Sequence, residues 1–304
     1  MLERSHLMII RTVHQLGTLT EAAEQLCLSQ SALSHAIKKL ENYFGTPVWV
    51  KEGRRLRLTQ AGQTLLNLSQ RLLPQFEHSE EIISNIASGG QGSLRIGMEC
   101  HPCYQWLLNI VGPFLKQCPD VDLDVRQRFQ FGGMGALLGY DIDMLVTPDP
   151  LYSLALEYVP VFDYEHVLVV PKSHPLANKP WIEPFDLSNE VIITYPVEPS
   201  RLDIFSQFCH PAGIAIKKHV KIETTEILLQ MVAAGRGFSA LPRWLVESLQ
   251  GTLDICPVSL GKKGIYKTIH LGFRKNEQRP AYLDKFIQMA QENDADFMSV
   301  SDII

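Results

Sequence analysis

In the first sixty residues, apolar positions recur at helical spacing and are cut into short runs. Ile9, Val13 and Leu16 fall at steps of four and three and stop at Gly17, a helix terminator. Thr20 offers a cap for a short second helix through Ala22, Ala23 and Leu26. Ser29 is placed as the N-cap of a third helix whose apolar stripe is Leu33, Ile37, Leu40 and Phe44, with Gly45 and Pro47 ending it. The opposite face of that helix carries Gln30, Ser31, Ser34, His35, Lys38 and Lys39. Val48 to Val50 and Leu56 to Leu58 then read as strands around the basic turn Lys51-Glu52-Gly53-Arg54-Arg55. Short helices, a four-residue break before the last of them and a two-stranded wing predict a winged helix-turn-helix.

From Thr59 to Ser88 the residues Leu65, Leu68, Leu72, Phe76, Ile83 and Ile86 lie near heptad spacing, and the stretch runs into Ser88-Gly89-Gly90-Gln91-Gly92. This predicts one long helix followed by a hinge; its apolar seam needs a partner, either its own domain or a second copy. A segment between two domains has no obvious core to cover, which favours dimerisation. Pro74 inside it predicts a kink. Beyond Gly92, strand-like runs at 94–98, 121–125, 142–146, 167–170, 191–195 and 268–273 alternate with helical stretches near 103–117, 200–209, 225–234, 243–249 and 280–292. That alternation predicts an α/β body with mostly parallel sheets and ligands at the strand ends.

Composition changes the picture once it is divided. The 304 residues suffice for about two domains, and 45% apolar content excludes a disordered acidic tail. The formal charge of −5 argues against a strongly basic nucleic-acid coat. Residues 1–60, however, hold 8 basic against 5 acidic side chains, a net +3, which leaves −8 on the remainder. The chain is a basic head on an acidic body. Glu3, Arg4, His6 and Arg11 interrupt the opening residues and no apolar run reaches 18, so a cytoplasmic protein without a membrane span is expected. Six cysteines are too dilute for a disulfide scaffold, and a cytosolic thiol pool is expected to keep them reduced.

The residue types on the third helix suit duplex DNA. Gln pairs with adenine, Ser bonds base edges or phosphates, and Lys neutralises the backbone, although a solvated polar face has the same composition. Ala22-Ala23, Leu26, Ser29-Gln30-Ser31-Ala32-Leu33-Ser34, Ile37, Leu40-Glu41, Gly45 and Leu58-Thr59-Gln60-Ala61-Gly62 resemble the winged helix-turn-helix of LysR-type transcriptional regulators. The match departs at Val48-Trp49 and Lys51, where the family usually has Leu-Phe and Arg. The resemblance implies an operator-binding surface of Ser29, Gln30, Ser31, Ser34, His35, Lys38, Arg54 and Arg57, with Gln30 and Ser34 reading bases and Lys38, Arg54 and Arg57 on phosphate. It also implies a homo-oligomer, a dimer or tetramer formed through the linker helix, that engages RNA polymerase.

For the body, the resemblance implies a two-lobed effector domain like a type II periplasmic binding protein. The expected parts are a DNA-binding domain at 1–58, a linker at 59–91 and an effector domain at 92–304. Within the last, lobe I takes 92–163 and 268–304 and lobe II takes 164–267. Val232-Ala233-Ala234-Gly235-Arg236-Gly237-Phe238-Ser239-Ala240-Leu241-Pro242 is similar to the helix, glycine turn and short strand of the family's second lobe.

Candidate chemistry in the body starts at Glu99-Cys100-His101-Pro102-Cys103, after a strand and before a helix. A redox pair, a zinc site through Cys100, His101 and Cys103, a small-molecule site and a plain buried turn all fit the string. No second Cys or His pair completes a tetrahedral site, and no thioredoxin-like layout surrounds the pair, so ligand contact is the leading expectation. Tyr195 and Arg201 lie at a second strand-to-helix turn suited to a carboxylate, Thr147 follows a strand, and Thr224 opens a helix where capping explains it equally well. No Ser/His/Asp order, phosphate loop or paired-carboxylate motif indicates an enzyme.

Further strings in both lobes, among them Gln105-Trp106-Leu107, Phe162-Asp163-Tyr164-Glu165, Tyr195-Pro196-Val197, Ser200-Arg201-Leu202-Asp203 and Gln230-Met231-Val232, resemble the methionine-biosynthesis branch of the family. That resemblance implies homocysteine as the small-molecule coeffector, with no other cofactor and no metal. A different small metabolite, or redox sensing by Cys100 and Cys103, are the alternatives.

Overall fold

The computed structural model describes residues 1–52, 55–88, 92–126 and 132–301. The chain divides into two compact units, Met1–Gly92 with Gly139–Asp141, and Ser93–Leu138 with Ile142–Ile304.

The first unit opens with α1 (Arg4–Leu16), α2 (Leu19–Gln25) and α3 (Gln30–Phe44). Ile9, Ile10 and Val13 of α1 pack with Ala22 and Ala23 of α2 and Leu33, Ile37 and Leu40 of α3. Gly17 and Gly45 end α1 and α3 in the left-handed conformation that glycine adopts without strain. Two details differ from the sequence reading. Thr18, not Thr20, caps α2 by accepting from the Glu21 N–H, because the chain must leave α1 immediately after Gly17. Phe44 is 50% exposed, since α3 outruns the small core beneath it. The wing pairs β1 (Trp49–Glu52) with β2 (Arg55–Leu58), antiparallel with Trp49 opposite Leu58.

A single helix, α4 (Gln60–Ser88), follows and continues through Pro74. Leu66 and Leu73 are buried, whereas Phe76, Ile82 and Ile83 stay 45–65% exposed. Arg4 pairs with Glu80 and Arg11 with Glu77, tying α1 along α4. The hinge expected at Gly89-Gly90-Gln91, and Arg54, lie outside the described residues.

The second unit is built on one seven-stranded sheet. In chain order its strands are β3 (Gly92–Met98), β4 (Val121–Arg126), β5 (Met144–Thr147), β6 (Leu156–Pro171), β9 (Ser239–Pro242), β10 (Ile255–Ser259) and β11 (Ile265–Arg274). They are ordered β10-β6-β11-β5-β3-β4, with β9 also on β6. A separate parallel pair joins β7 (Val191–Thr194) and β8 (Lys218–Lys221). The expectation of mostly parallel sheets is therefore corrected: β3 and β5 are parallel, but β5–β11, β11–β6, β6–β10 and β6–β9 are all antiparallel. The cause is the length of β6, which was read only over 167–170. Its first half carries Glu157, Pro160 and Asp163, which interrupt the apolar run. Pro160 sits where the β11 register shifts between Ile269 and His270, a bulge that tolerates a missing donor. The lobe boundaries expected at 163/164 and 267/268 fall inside β6 and β11.

Helices cover this sheet: α5 (Cys103–Gln117), α6 (Gly133–Leu138), α7 (Thr225–Ala233), α8 (Arg243–Leu249) and α9 (Ala281–Ser301). The helix expected at 200–209 is instead a 3-10 turn (Pro199–Arg201) followed by a π-helical turn (Ile204–Cys209). One core joins Trp106, Leu107, Ile110 and Phe114 of α5 to Phe286 of α9 across β3 and β5. Two more lie on either side of β6, one on Phe205 and Phe208, the other on Leu228, Leu229 and Leu245. Arg95 and Arg274 share Asp143 in a nearly buried ionic group, and Arg274 also donates to the Leu137 and Ile142 carbonyls, so its charge is fully partnered.

Gly62 explains part of the Leu58-Thr59-Gln60-Ala61-Gly62 string. Thr59 caps α4 by accepting from the Gly62 N–H and donates to the Val48 carbonyl. A Cβ on Gly62 would lie 2.0 Å from that same Val48 oxygen. Gly62→Ala is expected to lower the stability of the first unit by about 2 kcal/mol or more, read as a downward shift of its urea transition.

Candidate functional sites

On α3, Ser29 is the N-cap, its hydroxyl accepting from the Ala32 N–H at 3.1 Å and lying 3.0 Å from the Ser31 hydroxyl. Gln30, Ser31, Ser34, His35 and Lys38 are all exposed, and Gln30, Ser34 and Lys38 share one face at steps of four. The buried Leu33, Ile37 and Leu40 on the reverse side fix that orientation. Arg57 on the wing is held by Glu52 at 2.9 Å, both side chains about two-thirds exposed. A pair so exposed yields readily to a phosphate.

In the second unit, a cleft of about 520 Å³ lies between two walls. The end of β3 and start of α5 contribute Glu99, Cys100, His101, Tyr104 and Gln105; the turn into α7 contributes Glu223, Thr224, Thr225 and Glu226. His101 stacks on Tyr195 with ring centroids 4.4 Å apart and planes 8° from parallel. Burial pulls the His101 pKa below its ordinary value, with Glu223 opposing in part, so the ring is neutral at pH 7. Tyr195 is buried, its hydroxyl 2.8 Å from that of Thr225. Burial raises the phenol's pKa and the Thr225 hydrogen bond offsets some of the rise.

Cys100 and Cys103 form a disulfide, which corrects the expectation of reduced thiols and removes both sulfurs as thiolate ligands. The Cys103 N–H also meets Cys100 Sγ at 3.2 Å, so backbone and bridge close the same turn. Among the described residues no group of three or more His, Cys, Asp or Glu is placed to hold a metal. Thr147 is fully buried and does not offer its hydroxyl to the cleft. It donates to Glu99 Oε2 at 2.8 Å and accepts from the Asp149 N–H at 3.1 Å. Arg201 is exposed on the 3-10 turn, and Thr224 opens α7 without a side-chain cap, leaving its hydroxyl at the cleft.

Sequence reasoning missed a second polar group. Lys267 Nζ donates to Asp149 at 2.6 Å and Asp203 at 2.8 Å, and Gln207 donates to Asp203. Burial alone would lower the Lys267 pKa; the two carboxylates outweigh it and raise it. His166 Nδ1 lies 3.7 Å from Asp203, too far for a hydrogen bond. Burial holds this histidine's pKa well down, to about 4, against the pull of Asp203, so the contact is not an ion pair at neutral pH. Lys267, Asp149, Asp203 and His166 come from four separate stretches of the chain, so their meeting is set by the fold and not by a local pattern. Glu99 was within reach, since it stands beside the cysteines directly after a strand.

The geometry is that of a helical DNA-reading head and an α/β unit with a ligand-sized cleft. Residues 5–63 match the bacterial regulatory helix-turn-helix family of lysR type, and residues 87–295 match the LysR substrate binding domain. The chain belongs to the LysR family of transcriptional regulators. It is 36% identical to the HTH-type transcriptional regulator MetR of Escherichia coli over 298 residues, 98% of this chain and 92% of that protein. Among solved structures, the regulatory domain of NMB2055 (MetR), a LysR family regulator from N. meningitidis, aligns with a TM-score of 0.60 at 31% identity, covering 66% of this chain and 93% of that one. That domain has also been solved with two cysteines, three positions apart, replaced by serine. CbnR, at 22% identity, covers 96% of this chain and 99% of its own with a TM-score of 0.66, a likeness of fold. Among the described residues no helix is long and apolar enough to cross a membrane.

The low pKa values of His101 and His166 give the second unit a signed pH dependence. Below about pH 6.5 the unfolded chain binds protons that these folded histidines refuse, so stability held above that pH is lost as pH falls towards the folded values. Urea unfolding from pH 7.5 to 5 should show a decline of up to about 1.4 kcal/mol per pH unit from His166, flattened in His166→Asn, with His101 adding in the same direction.

Proposed function

We propose that this chain is a cytoplasmic regulator of methionine biosynthesis genes that binds operator DNA as a homo-oligomer and responds to homocysteine. The observation that carries this reading is its end-to-end similarity to MetR, 36% identity over 98% of the chain, which takes in the DNA-reading head and the cleft alike. In this reading Gln30 and Ser34 contact bases, Lys38, Arg54 and Arg57 contact phosphate, and residues 59–91 join two or four copies. RNA polymerase is the further protein partner. Residues 92–163 and 268–304 act as one lobe and 164–267 as the other. The coeffector lies between them, near the bridged Cys100–Cys103 turn, His101, Tyr195 and Thr224, with Arg201 and Thr147 in its surroundings. It shifts the population of two arrangements by binding one of them more tightly.

Gln30→Ala is expected to weaken operator binding about 5- to 100-fold and relax preference at one base pair, with Ser34→Ala smaller in effect. Gel-shift titration against the chain's own upstream DNA checks both. Unchanged affinity and preference would remove α3 as the reading element. Calorimetry with homocysteine at millimolar concentration, with and without operator, tests the ligand; no heat in either case rejects it.

The Cys100–Cys103 disulfide favours one second reading, a redox-sensing regulator. Serine at both positions separates the two: a redox sensor loses its response to peroxide, whereas a homocysteine receptor changes in ligand affinity alone.

A further inference from the structure

We propose that Glu99 fills a carboxylate cradle in the cleft wall and thereby sets the polarity of the ligand, which must bring a protonated amine to this wall instead of a carboxylate. The polarity clause rests on the reading of the cleft as the coeffector site; the cradle does not.

Both oxygens of Glu99 are held. Oε1 accepts the Gly133 N–H at 2.9 Å and Oε2 accepts the Thr147 hydroxyl at 2.8 Å. Because Thr147 already accepts from the Asp149 N–H, its own hydrogen is committed to the carboxylate. Gly133 is what allows the side chain to lie against this floor. A Cβ there would lie 2.8 Å from Glu99 Oε1 and 2.3 Å from Leu145 Cδ1. Two oriented donors on a buried floor would suit any carboxylate, and charge-assisted bonds of this kind are the stronger ones. The chain supplies the carboxylate itself, so a ligand's acid group finds the position taken.

What the wall shows to a ligand is then the outer side of an anion. Glu223 and Glu226 face it, and the described residues that line the cleft include no lysine or arginine. His101 adds no positive charge, being neutral. A ligand whose only charge is a carboxylate meets like charge here, and an ammonium group meets opposite charge. Glu99 is thus a specificity-determining residue for amino acids over simple organic acids, and homocysteine has the required amine.

The test uses the full-length protein and two readouts. The first compares wild type, Glu99→Ala and Glu99→Gln by thermal unfolding in sodium acetate against sodium chloride at equal ionic strength. Glu99→Ala should lose about 4 °C or more and regain a substantial part in acetate only, while wild type, whose cradle is filled, and Glu99→Gln, whose amide blocks it, show no acetate-specific gain. Equal responses to the two salts in Glu99→Ala would overturn the cradle. The second readout is calorimetry with homocysteine and with 4-mercaptobutanoate, the same molecule without its amine. Wild type should prefer homocysteine by at least about tenfold, and Glu99→Gln should close most of that gap. Equal binding, or a preference for the acid, overturns the polarity. If neither compound binds, the homocysteine reading and the polarity clause fall together, while the acetate comparison still decides the cradle.

Discussion

The antiparallel pairing of β6 with β11 is the constraint on which the second unit depends. The sixteen residues of Leu156–Pro171 run beside the ten of Ile265–Arg274, and the remaining sheet strands extend from this pair. Its register also assembles chemistry. Lys267 stands opposite Tyr164 and Ile265 opposite His166, which brings Lys267 and His166 to the same oxygen of Asp203. A slip of one residue would turn Lys267 to the other face of the sheet and leave Asp149 and Asp203 without their cation. The bulge at Pro160 pins the register, because a proline cannot donate wherever it happens to fall.

The head was largely legible in the sequence because local rules decide it. Ser29 caps, Gly17 and Gly45 terminate, and the step-of-four stripe of α3 buries as expected. Elements in the body were legible where an apolar run was continuous, as in β5 and β7, or a helical period was strong, as in α5, α7 and α8. The first half of β6 was hidden because Glu157, Pro160 and Asp163 break its apolar run. β8, Lys218–Lys221, has no apolar run at all and exists because β7 pairs with it. A parallel sheet was inferred from alternation alone; strand direction depends on long connections that leave no local trace.

The cleft was legible as a place and less so as chemistry. The string Glu99 to Cys103 marked a strand-to-helix junction, which the structure places on the cleft wall with His101 against Tyr195. The sulfurs close a turn, and Glu99 holds the polar floor with Thr147. Thr147 has the residue type of a ligand contact and the burial of a structural one; only the three-dimensional neighbour separates the two roles.

The glutamate clasps on the head alter how its positive charge counts towards nucleic acid. Of the eight basic residues in the first sixty, Arg4 and Arg11 are held by Glu80 and Glu77 of α4, and Arg57 by Glu52 of the wing. Lys38, Lys39 and Lys51 stand exposed. Each phosphate that a protein neutralises releases condensed counterions, and the number released governs how steeply affinity falls with salt. A head whose α1 arginines are spent on its own connecting helix displaces few ions by itself. Base contacts then have to carry more of the affinity of each head, and each head loses less of its grip when the ionic strength of the cell rises.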